Sequence, residues 1–387
     1  MSGQAKQTRR KPGSQPALRR QNTQRVVETL AQRGPTTQAR LARLTGLSTG
    51  TISNIVRELS SESRITTTPV IDSGRRAMEI ALRADPRVCM GADLSEGRLR
   101  LLLARTDHDV LAFIDEPLTG STPSDHLHQL RRRLDERVRE LGLTSGDVLG
   151  ASIGLPPATT AFAGDDALSI WDDVDTAALA EVTFGFDCHF APAAALAAFA
   201  QVSWGPFANA GSVAHLSLGE EPVVGLVIDN RLVGGRIGAA GRIAHLQVVH
   251  QGDICRCGNR GCLQTVASSA VVVQHVARAK RLHHLTEERV VDLARQRDLP
   301  TLRVLEDVGN ALGRALAAVC TVVNPDTVVI GGTLAEAGPP LLDPLHRAFG
   351  RSAIPALAQS TVVARCQLGP RAAAMGAAAL VSRAATA

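Results

Sequence analysis

Apolar residues at helical spacing run from residue 22 to about residue 60 and predict three short helices. We expect the first helix to end before Gly34-Pro35 and the second to begin at a Thr37 cap. Gly46 then turns the chain, and Ser48 caps the third helix. The apolar positions are, in chain order, Val26, Val27 and Leu30; Leu41, Ala42 and Leu44; and Ile52, Ile55, Val56 and Leu59.

A β-hairpin is predicted next, between Arg64 and Ile80, with its turn near Asp72-Ser73-Gly74 and with Arg75 and Arg76 beside the turn. Three helices with a tight turn, followed by a basic hairpin, are typical of a winged helix-turn-helix, which we place at residues 22–83. The alternative is a small helical packing module with ordinary surface polarity.

The third helix has an apolar face and, opposite to it, small polar side chains, as a helix lying in the major groove of DNA must have. Such side chains reach base edges or phosphates without filling the groove. The residues that we expect to contact double-stranded DNA, in these helices and in the hairpin, are Gln38, Ser48, Thr49, Thr51, Asn54, Arg57, Arg75 and Arg76.

The distribution of charge favours a polyanionic partner for this N-terminal part. Residues 1–87 hold 16 Lys and Arg against 6 Asp and Glu, whereas the remaining 300 residues hold 26 against 31. A basic surface gains affinity for nucleic acid by releasing condensed counterions. The alternative is a basic face that is merely solvated. Residues 1–21 carry six Lys or Arg, no acid and few large apolar groups, which predicts a disordered basic tail.

From about residue 88 to residue 387 the chain alternates short apolar strands, alanine-rich helices and glycine turns, which predicts an α/β body. No apolar run approaches the roughly 18 residues that span a bilayer, and the basic N-terminus lacks the apolar stretch of a secretory signal. We therefore expect no membrane contact and a cytoplasmic location. The seven cysteines then need an explanation other than disulfides.

Four side chains that bind metals stand close together in the segment 245–264: His245, Cys255, Cys257 and Cys262. Three thiols and one imidazole suit a closed, tetrahedral, structural zinc site, and the glycines among them permit tight turns. The alternatives are unrelated buried thiols or a redox pair. The remaining cysteines lack such neighbours and are interpreted as core residues: Cys89, Cys188, Cys320 and Cys366.

The segment Gly238-Ala239-Ala240-Gly241-Arg242-Ile243-Ala244-His245, with the cysteines and Gln264 behind it, resembles the signature of the ROK family of repressors, open reading frames and sugar kinases. Three further stretches stand along the chain in the family's order: Gly91-Ala92-Asp93, Gly154-Leu155-Pro156 and the run from Asn324 to Gly332. The resemblance covers nearly the whole chain. It implies a two-lobed, actin-like (ribonuclease-H-like) α/β domain at residues 88–387, preceded by the winged helix-turn-helix.

The positions at which kinases of this family bind ATP have changed. The family's Asp-Leu/Ile-Gly-Gly-Thr turn is Asp93-Leu94-Ser95-Glu96-Gly97 here, and its Gly-Thr-Gly turn is Gly219-Glu220-Glu221-Pro222. Carboxylates at both turns should repel a polyphosphate. The catalytic Asn-Asp pair should fall near Ala191-Pro192-Ala193, where no shift of the alignment recovers an Asp, and Asp187 lies too far upstream. We therefore predict no enzymatic activity.

The expected effector pocket, at Asp93, Arg242 and Gln264, departs from the family pattern as well. Arg242 and Gln264 stand where the family has Glu, and Ala244 stands where it has Gly. Three interpretations remain open for the pocket: a sugar-derived, phosphorylated or acidic small molecule that pairs with Arg242, a vestigial pocket, or a surface role for Arg242.

Together these features favour a sequence-specific DNA-binding regulator that represses carbohydrate-related genes. By resemblance, the body forms a homodimer or homotetramer and places two heads on an operator with an inverted repeat. Two other functions remain open. One is a sugar kinase with an appended head, and the other is an inactive kinase body that serves as a scaffold with a nonspecific DNA tether.

Overall fold

The structure is a computed structural model, and it describes residues 19, 22–23, 25–27, 29–30, 33–62, 64–72, 75–83, 85–156, 170–171, 174–208, 210–236 and 238–386. The chain separates into two compact units. The first unit is built on the residues before Arg87, and the second consists of Arg87–Arg105 and Asp109–Ser382.

The first unit contains the three predicted helices. The described residues between 22 and 33 are helical (α1), and α2 (Gln38–Thr45) and α3 (Thr49–Ser61) follow. Gly46 adopts a φ of 70°, and its N–H donates to the carbonyl oxygen of Ala42, which ends α2 as predicted. Thr37 occupies the N-cap position of α2, but its side chain makes no capping hydrogen bond, so this part of the prediction is wrong.

One apolar core joins the three helices to the hairpin, and it contains nearly all of the predicted apolar positions. Leu44 is the exception, because 44% of its surface is exposed. Thr45 takes the buried position instead, since its hydroxyl donates to the Leu41 carbonyl oxygen at 2.7 Å and needs no water. The fully and nearly buried residues of this core are Val26, Val27, Leu30, Leu41, Ile52, Ile55, Val56, Leu59, Ile65 and Ile80.

The wing is an antiparallel hairpin of β2 (Ile65–Asp72) and β3 (Arg75–Leu82), paired along their full lengths. Ser73 and Gly74, predicted in the turn, lie outside the described residues. A two-residue strand, β1 (Thr36–Thr37), pairs with β3 and completes a three-stranded sheet in the order β1-β3-β2. The sequence did not indicate β1, because two residues are too few to form a periodic pattern. The winged helix-turn-helix architecture is confirmed.

Within the segment predicted as a basic tail, the structure describes Arg19 and no other residue. Arg19 is helical, and its guanidinium donates to Oε2 of Glu58 on α3 at 2.8 Å. The remaining residues of the tail lie outside the described part of the chain, and their disorder stays a prediction.

The second unit begins with a lobe around a five-stranded sheet in the order β6-β5-β4-β7-β8. Its first three strands are antiparallel, and β7 and β8 join in parallel. The elements of this lobe are β4 (Val88–Asp93), β5 (Arg98–Arg105), β6 (Val110–Pro117), α4 (Pro123–Glu140), β7 (Val148–Leu155), α5 (Thr176–Phe184) and β8 (Cys188–Pro192), and α6 (Ala193–Ser203) leads out of it.

The second lobe repeats the arrangement, with a sheet in the order β11-β10-β9-β12-β13. Two sheets with the same strand order are the basis of the actin-like fold, which confirms the predicted fold class. The elements are β9 (Ser212–Ser217), β10 (Val223–Ile228), β11 (Arg231–Leu232), α7 (Gln264–Ala267), α8 (Ser269–Lys280), α9 (Glu287–Arg295), α10 (Leu299–Val323), β12 (Thr327–Gly331), α11 (Pro339–Ser352), α12 (Pro355–Ser360), β13 (Val362–Arg365) and α13 (Ala372–Thr386). No helix among the described residues is long and apolar enough to cross a bilayer.

The two alanine-rich helices α6 and α13 pack against each other and against the sheets with their backbones almost in contact. A Cβ atom at Gly376 of α13 would lie 1.8 Å from the carbonyl oxygen of Leu196 in α6. A Cβ atom at Gly91 of β4 would lie 2.0 Å from the carbonyl oxygen of Ala374 in α13. Small residues at these positions are therefore a condition for bringing the helices and the first sheet together.

We expect Gly376→Ala to lower the free energy of unfolding by at least about 2 kcal/mol, because the added methyl group has no space beside α6. Gly350→Ala is the matched control, since Gly350 lies in α11 with nothing within 4 Å of an added Cβ atom. There the gain in helix propensity should leave stability unchanged or raise it by up to about 1 kcal/mol. Thermal and urea unfolding measure both variants, and equal effects would contradict the proposed contact.

Candidate functional site

The start of α3 is fixed by Ser48. Its Oγ accepts a hydrogen bond from the N–H of Thr51 at 3.1 Å and lies 2.9 Å from Oγ1 of the same residue. The predicted cap is therefore confirmed. The hydroxyl groups of Ser48 and Thr51 bond to each other and thereby help to fix the start of the helix. As DNA contacts, Ser48 and Thr51 stay predictions.

Three further predicted contacts lie on α3 and are exposed on the side opposite the core: Thr49, Asn54 and Arg57. Asn54 and Arg57 border a shallow groove that is also lined by Glu58 and Arg19. Glu58 was not among the predicted contacts. No sequence signal distinguished it, because its importance comes from the ion pair with Arg19, a residue 39 positions away.

The other predicted DNA contacts lie on α2 and on the wing. Gln38, the first residue of α2, is half-buried, and Arg76 of β3 is exposed. The side chain of Arg75 lies outside the described part of the structure. All three residues stay predictions as DNA contacts.

The structure brings the four predicted metal ligands together at the edge of the second lobe. Their candidate ligand atoms all lie within 4.8 Å of one another, in the cluster His245, Cys255, Cys257 and Cys262. Gly261 has a φ of 68°, and a Cβ atom there would lie 1.7 Å from the carbonyl oxygen of Val249. A glycine is therefore required for the loop to fold back onto the cluster.

The interatomic distances fit a tetrahedral metal site. Sγ of Cys257 lies 3.7 Å from Sγ of Cys262, and Sγ of Cys255 lies 3.5 Å from Nδ1 of His245. Tetrahedral zinc separates two thiolate sulfurs by about 3.8 Å, and a sulfur and an imidazole nitrogen by about 3.5 Å. Burial lowers the pKa of His245, which keeps the imidazole in the neutral form that binds a metal. The cluster can therefore hold a metal ion.

A buried carboxylate, Glu221, connects the metal-binding loop to the neighbouring strands. Its side chain is 8% exposed and accepts two hydrogen bonds from Arg242, at 3.0 and 3.1 Å. It accepts a third from Arg256 at 2.7 Å, and its Oε1 lies 4.0 Å from Nε2 of His245. Arg256 stands between two ligand cysteines, so Glu221 is tied to both sides of the loop.

This pairing changes the role expected for Arg242. Its side chain is only 6% exposed, and Glu221 already occupies it in a bidentate geometry. An acidic or phosphorylated effector would have to displace a buried carboxylate from the guanidinium. The geometry therefore argues against Arg242 as an anion receptor, and Arg242 does not line the cavity described next.

A cavity of about 560 Å³, here called the cleft, is lined by residues of both lobes. The first residues of α6 and α13 contribute its alanine-rich apolar wall. Of the predicted pocket residues, Asp93 lines the cleft, whereas Gln264 lies outside it and donates to the carbonyl oxygen of Glu220 at 2.8 Å. The ionisable residues in the lining are Asp93, Glu96, Glu220, Glu221, Glu336, Arg100, Arg256 and His215.

The carboxylate of Asp93 is fully occupied inside the first lobe. It accepts hydrogen bonds from the N–H and hydroxyl of Ser95, at 3.1 and 2.6 Å, and from the guanidinium of Arg100 at 2.8 Å. Its side chain is 3% exposed. Asp93 therefore shapes the turn after β4 and has little capacity left for a ligand.

Glu96 belongs to the first phosphate turn of the family, and its side chain reaches the second turn. A Cβ atom at Gly219 would lie 2.0 Å from Oε1 of Glu96, so the carboxylate rests directly against the Gly219 backbone. Burial in the cleft raises the pKa of Glu96 to about 7 against the opposing effect of Arg100, and Asp93, Glu287 and Glu220 raise it further. The carboxyl group of Glu96 therefore occupies the space between the two turns.

The segment at which the family's catalytic pair was expected borders the same cleft. Ala191 and Pro192 end β8, and Ala193 begins α6 and lines the cavity. No residue of β8 or α6 is acidic. The structure thus places no carboxylate of these two elements where a sugar hydroxyl would need a base.

A winged helix-turn-helix followed by two lobes with repeated sheet order is the architecture of a regulator that carries a sugar-kinase-like domain. The ROK family profile matches residues 125–384, and a profile of winged helix-turn-helix DNA-binding domains matches residues 19–66. The chain belongs to the ROK family.

Relatives of known name are similar over nearly their whole length. The putative xylose repressor of Caldicellulosiruptor sp. (strain Rt8B.4) is 24% identical, over 87% of this chain and 88% of that protein. The DNA-binding transcriptional dual regulator NagC of Escherichia coli (strain K12) is 26% identical, over 96% of this chain and 95% of NagC.

Solved structures show the same fold. A ROK family transcriptional regulator, described as a homolog of the E. coli MLC protein, superposes with a TM-score of 0.78 at 24% identity, over 95% of this chain and 97% of that one. A ROK family glucokinase from Streptomyces griseus, in complex with glucose and AMPPNP, superposes with a TM-score of 0.64 at 21% identity, over 76% and 98% of the respective chains.

We expect the purified protein to carry about one thiophilic metal ion per chain and Cys257→Ser to lose it, because one thiolate of four ligands is removed. Cys188→Ser is the matched control, since Cys188 lies outside the cluster. Element-resolved mass spectrometry measures the metal, and thermal unfolding measures the accompanying loss of stability. Equal metal content in both variants would contradict the site.

Proposed function

We propose that this protein is a sequence-specific DNA-binding repressor of carbohydrate-related genes. The observation that carries the proposal is α3, whose capped N-terminus and exposed Thr49, Asn54 and Arg57 stand on a rigid apolar core beside a basic wing. The basic charge of the head supports binding to the DNA backbone. The names of relatives, such as xylose repressor and N-acetylglucosamine repressor, support the carbohydrate connection.

In this proposal the ROK domain joins two or four chains, and a dimer presents two heads to the half-sites of an inverted repeat. Asn54 and Arg57 contact base edges, while Arg76 and the basic residues before α1 hold the phosphate backbone. A small-molecule effector binds in the cleft between the lobes and changes the spacing of the heads.

We further propose that the ROK domain has no kinase activity. The carboxyl groups of Glu96 and Glu220 stand at the two phosphate turns, where their ionised forms are negative, and the rigid Pro222 follows Glu221. Charges of the same sign at a few ångströms destabilise a bound polyphosphate. Strand β8 and helix α6 supply no carboxylate near Ala193, where the base of the family's kinases was expected.

The metal in the His/Cys cluster is proposed to be structural zinc. Three thiolates and one imidazole complete a tetrahedral shell, which leaves no open position for water or substrate. The four ligands would hold zinc there, and the loop that they fix carries Arg256, which donates to Glu221. The chain's own part is to supply the four ligands and the glycine turns that bring them together.

Asn54→Ala should weaken binding to the preferred DNA site by about 10-fold to 100-fold, the discrimination typical of one side chain that pairs with a base. Genome-wide mapping of the tagged protein identifies that site, and mobility shifts measure the affinity. Ser60→Ala, an exposed position of the same helix outside the groove, is the control and should bind normally. No enriched sites, or binding indifferent to sequence, would favour a scaffold with a nonspecific tether.

With a panel of hexoses and amino sugars we expect no consumption of ATP above background, because carboxyl groups stand at both phosphate turns and β8 and α6 supply no carboxylate base. A ROK glucokinase assayed under the same conditions provides the positive control. Sugar-dependent formation of ADP by the purified protein, lost in a heat-inactivated sample, would overturn the proposal that this domain is inactive.

A further inference from the structure

The polar face of α3 that is proposed to contact DNA carries a carboxylate. Glu58 lines the same shallow groove as Thr51 and Asn54, and the spacing of the three residues places them on one face of the helix. A carboxylate on this face repels the phosphate groups of DNA unless a cation compensates it. The presence of Glu58 at this position therefore needs an explanation.

Arg19 supplies the compensating cation. Its Nε and one of its terminal nitrogens donate to Oε2 of Glu58, at 3.1 and 2.8 Å. Arg19 also lines the groove together with Asn22. Both residues are helical and lie three positions apart, so they face α3 from the same side of their helix. The chain just before α1 thus forms one wall of the groove, and the polar face of α3 forms the other.

The ion pair leaves most of the guanidinium of Arg19 available for a further contact. A guanidinium carries five N–H groups, and the two hydrogen bonds to Glu58 use two of them. The side chain of Arg19 is 66% exposed and that of Glu58 is 33% exposed, so the cation is the more accessible member of the pair. Glu58 therefore holds a guanidinium whose remaining N–H groups can donate to a phosphate in a bidentate geometry.

The position of the pair along α3 indicates which part of DNA it meets. A recognition helix contacts base edges mainly with its N-terminal residues. Glu58 follows Thr51 by seven positions and therefore lies about 10 Å further along the helix axis. The major groove is about 12 Å wide, so a side chain that far from the base-reading end of the helix lies near the phosphates at the rim of the groove.

We propose that Glu58 is a positioning residue for DNA binding, which holds Arg19 in the orientation in which its guanidinium contacts a phosphate at the rim of the major groove. An acidic side chain thereby strengthens the binding of a polyanion. The physical reason is that a long arginine side chain already held in place loses less conformational freedom when it binds. This inference rests on the proposed function, because it requires that α3 lies in the major groove.

The sign of the effect of one substitution tests the proposal. Glu58→Ala in the full-length protein should weaken DNA binding about threefold to fivefold, because Arg19 loses the group that orients it. The same factor is expected on the preferred site and on a scrambled duplex of equal length, since a phosphate contact carries no sequence information. A carboxylate that positioned nothing would have the opposite effect, because its removal would only reduce repulsion. Mobility shifts and fluorescence anisotropy measure both duplexes.

Two further variants separate positioning from other roles. Arg19→Ala should weaken binding and lower the slope of log K against log salt concentration by about 0.9, the value for one phosphate contact. In that background Glu58→Ala should cause no further loss, because the side chain that it positions is absent. Glu62→Ala is the matched control: Glu62 is an exposed acid at the end of α3, outside the groove, and its removal should leave binding unchanged or slightly tighter. Thermal unfolding should be the same for all variants, since exposed ion pairs contribute little to stability.

Unchanged or tighter binding by Glu58→Ala, an equal loss in the Arg19→Ala background, or an equal loss in Glu62→Ala would overturn the inference. So would a loss confined to the preferred site, which would make Glu58 a reader of base edges, or a loss accompanied by lower thermal stability. Absence of any preferred site rejects the sequence-specific repressor, but the scrambled duplex still measures the role of Glu58. Normal specific binding with an unaffected Glu58→Ala variant rejects the positioning role alone.

Discussion

The buried carboxylate of Glu221 is the contact on which both the cleft and the metal-binding loop depend. A charge that is 8% exposed must be paired, because an uncompensated ion in such a place costs several kcal/mol. Arg242 supplies the pairing from just before the first metal ligand, and Arg256 supplies it from between two ligand cysteines. The position of the loop and the charge balance of the cleft are therefore parts of one electrostatic arrangement.

The same cleft carries carboxyl groups at the two turns where kinases of this family bind phosphate. The sheets and helices place the turn after β4 against the turn after β9. Here Glu96 fills the gap between those turns and rests on Gly219, so the backbone amides that suit a phosphate face a carboxylate.

Close packing makes the walls of the cleft rigid. Helices α6 and α13 approach each other through Gly376 and Leu196, and their alanines form the wall of the cleft. Interiors packed at this density deform little, which keeps the position of charged side chains in the cleft well defined. The head is equally well specified, since one core joins its three helices to the wing.

The sequence by itself determined the features that depend on neighbouring residues. The Ser48 cap, the Gly46 turn and the apolar faces of α1 and α3 follow from contacts within a few residues, so periodicity predicts them. The metal cluster was predictable for a similar reason, because three of its four ligands fall within eight residues and their chemistry is distinctive. The resemblance to a family supplied the two-lobed, actin-like fold of the body, which local patterns alone do not contain.

Only the tertiary structure decided which partner each charged side chain contacts. Three contacts join residues that are far apart in the sequence: Glu221 with Arg242 (21 positions), Arg19 with Glu58 (39 positions) and Glu96 with the backbone of Gly219 (123 positions). Nothing in the pattern of the chain selects one partner over another. The sequence contains many arginines and carboxylates, and the composition is the same whichever of them form pairs. Their pairing, and hence the charge left for a ligand or for DNA, follows from where the packed backbone brings each side chain, because electrostatic interactions depend on distance in space and not along the sequence.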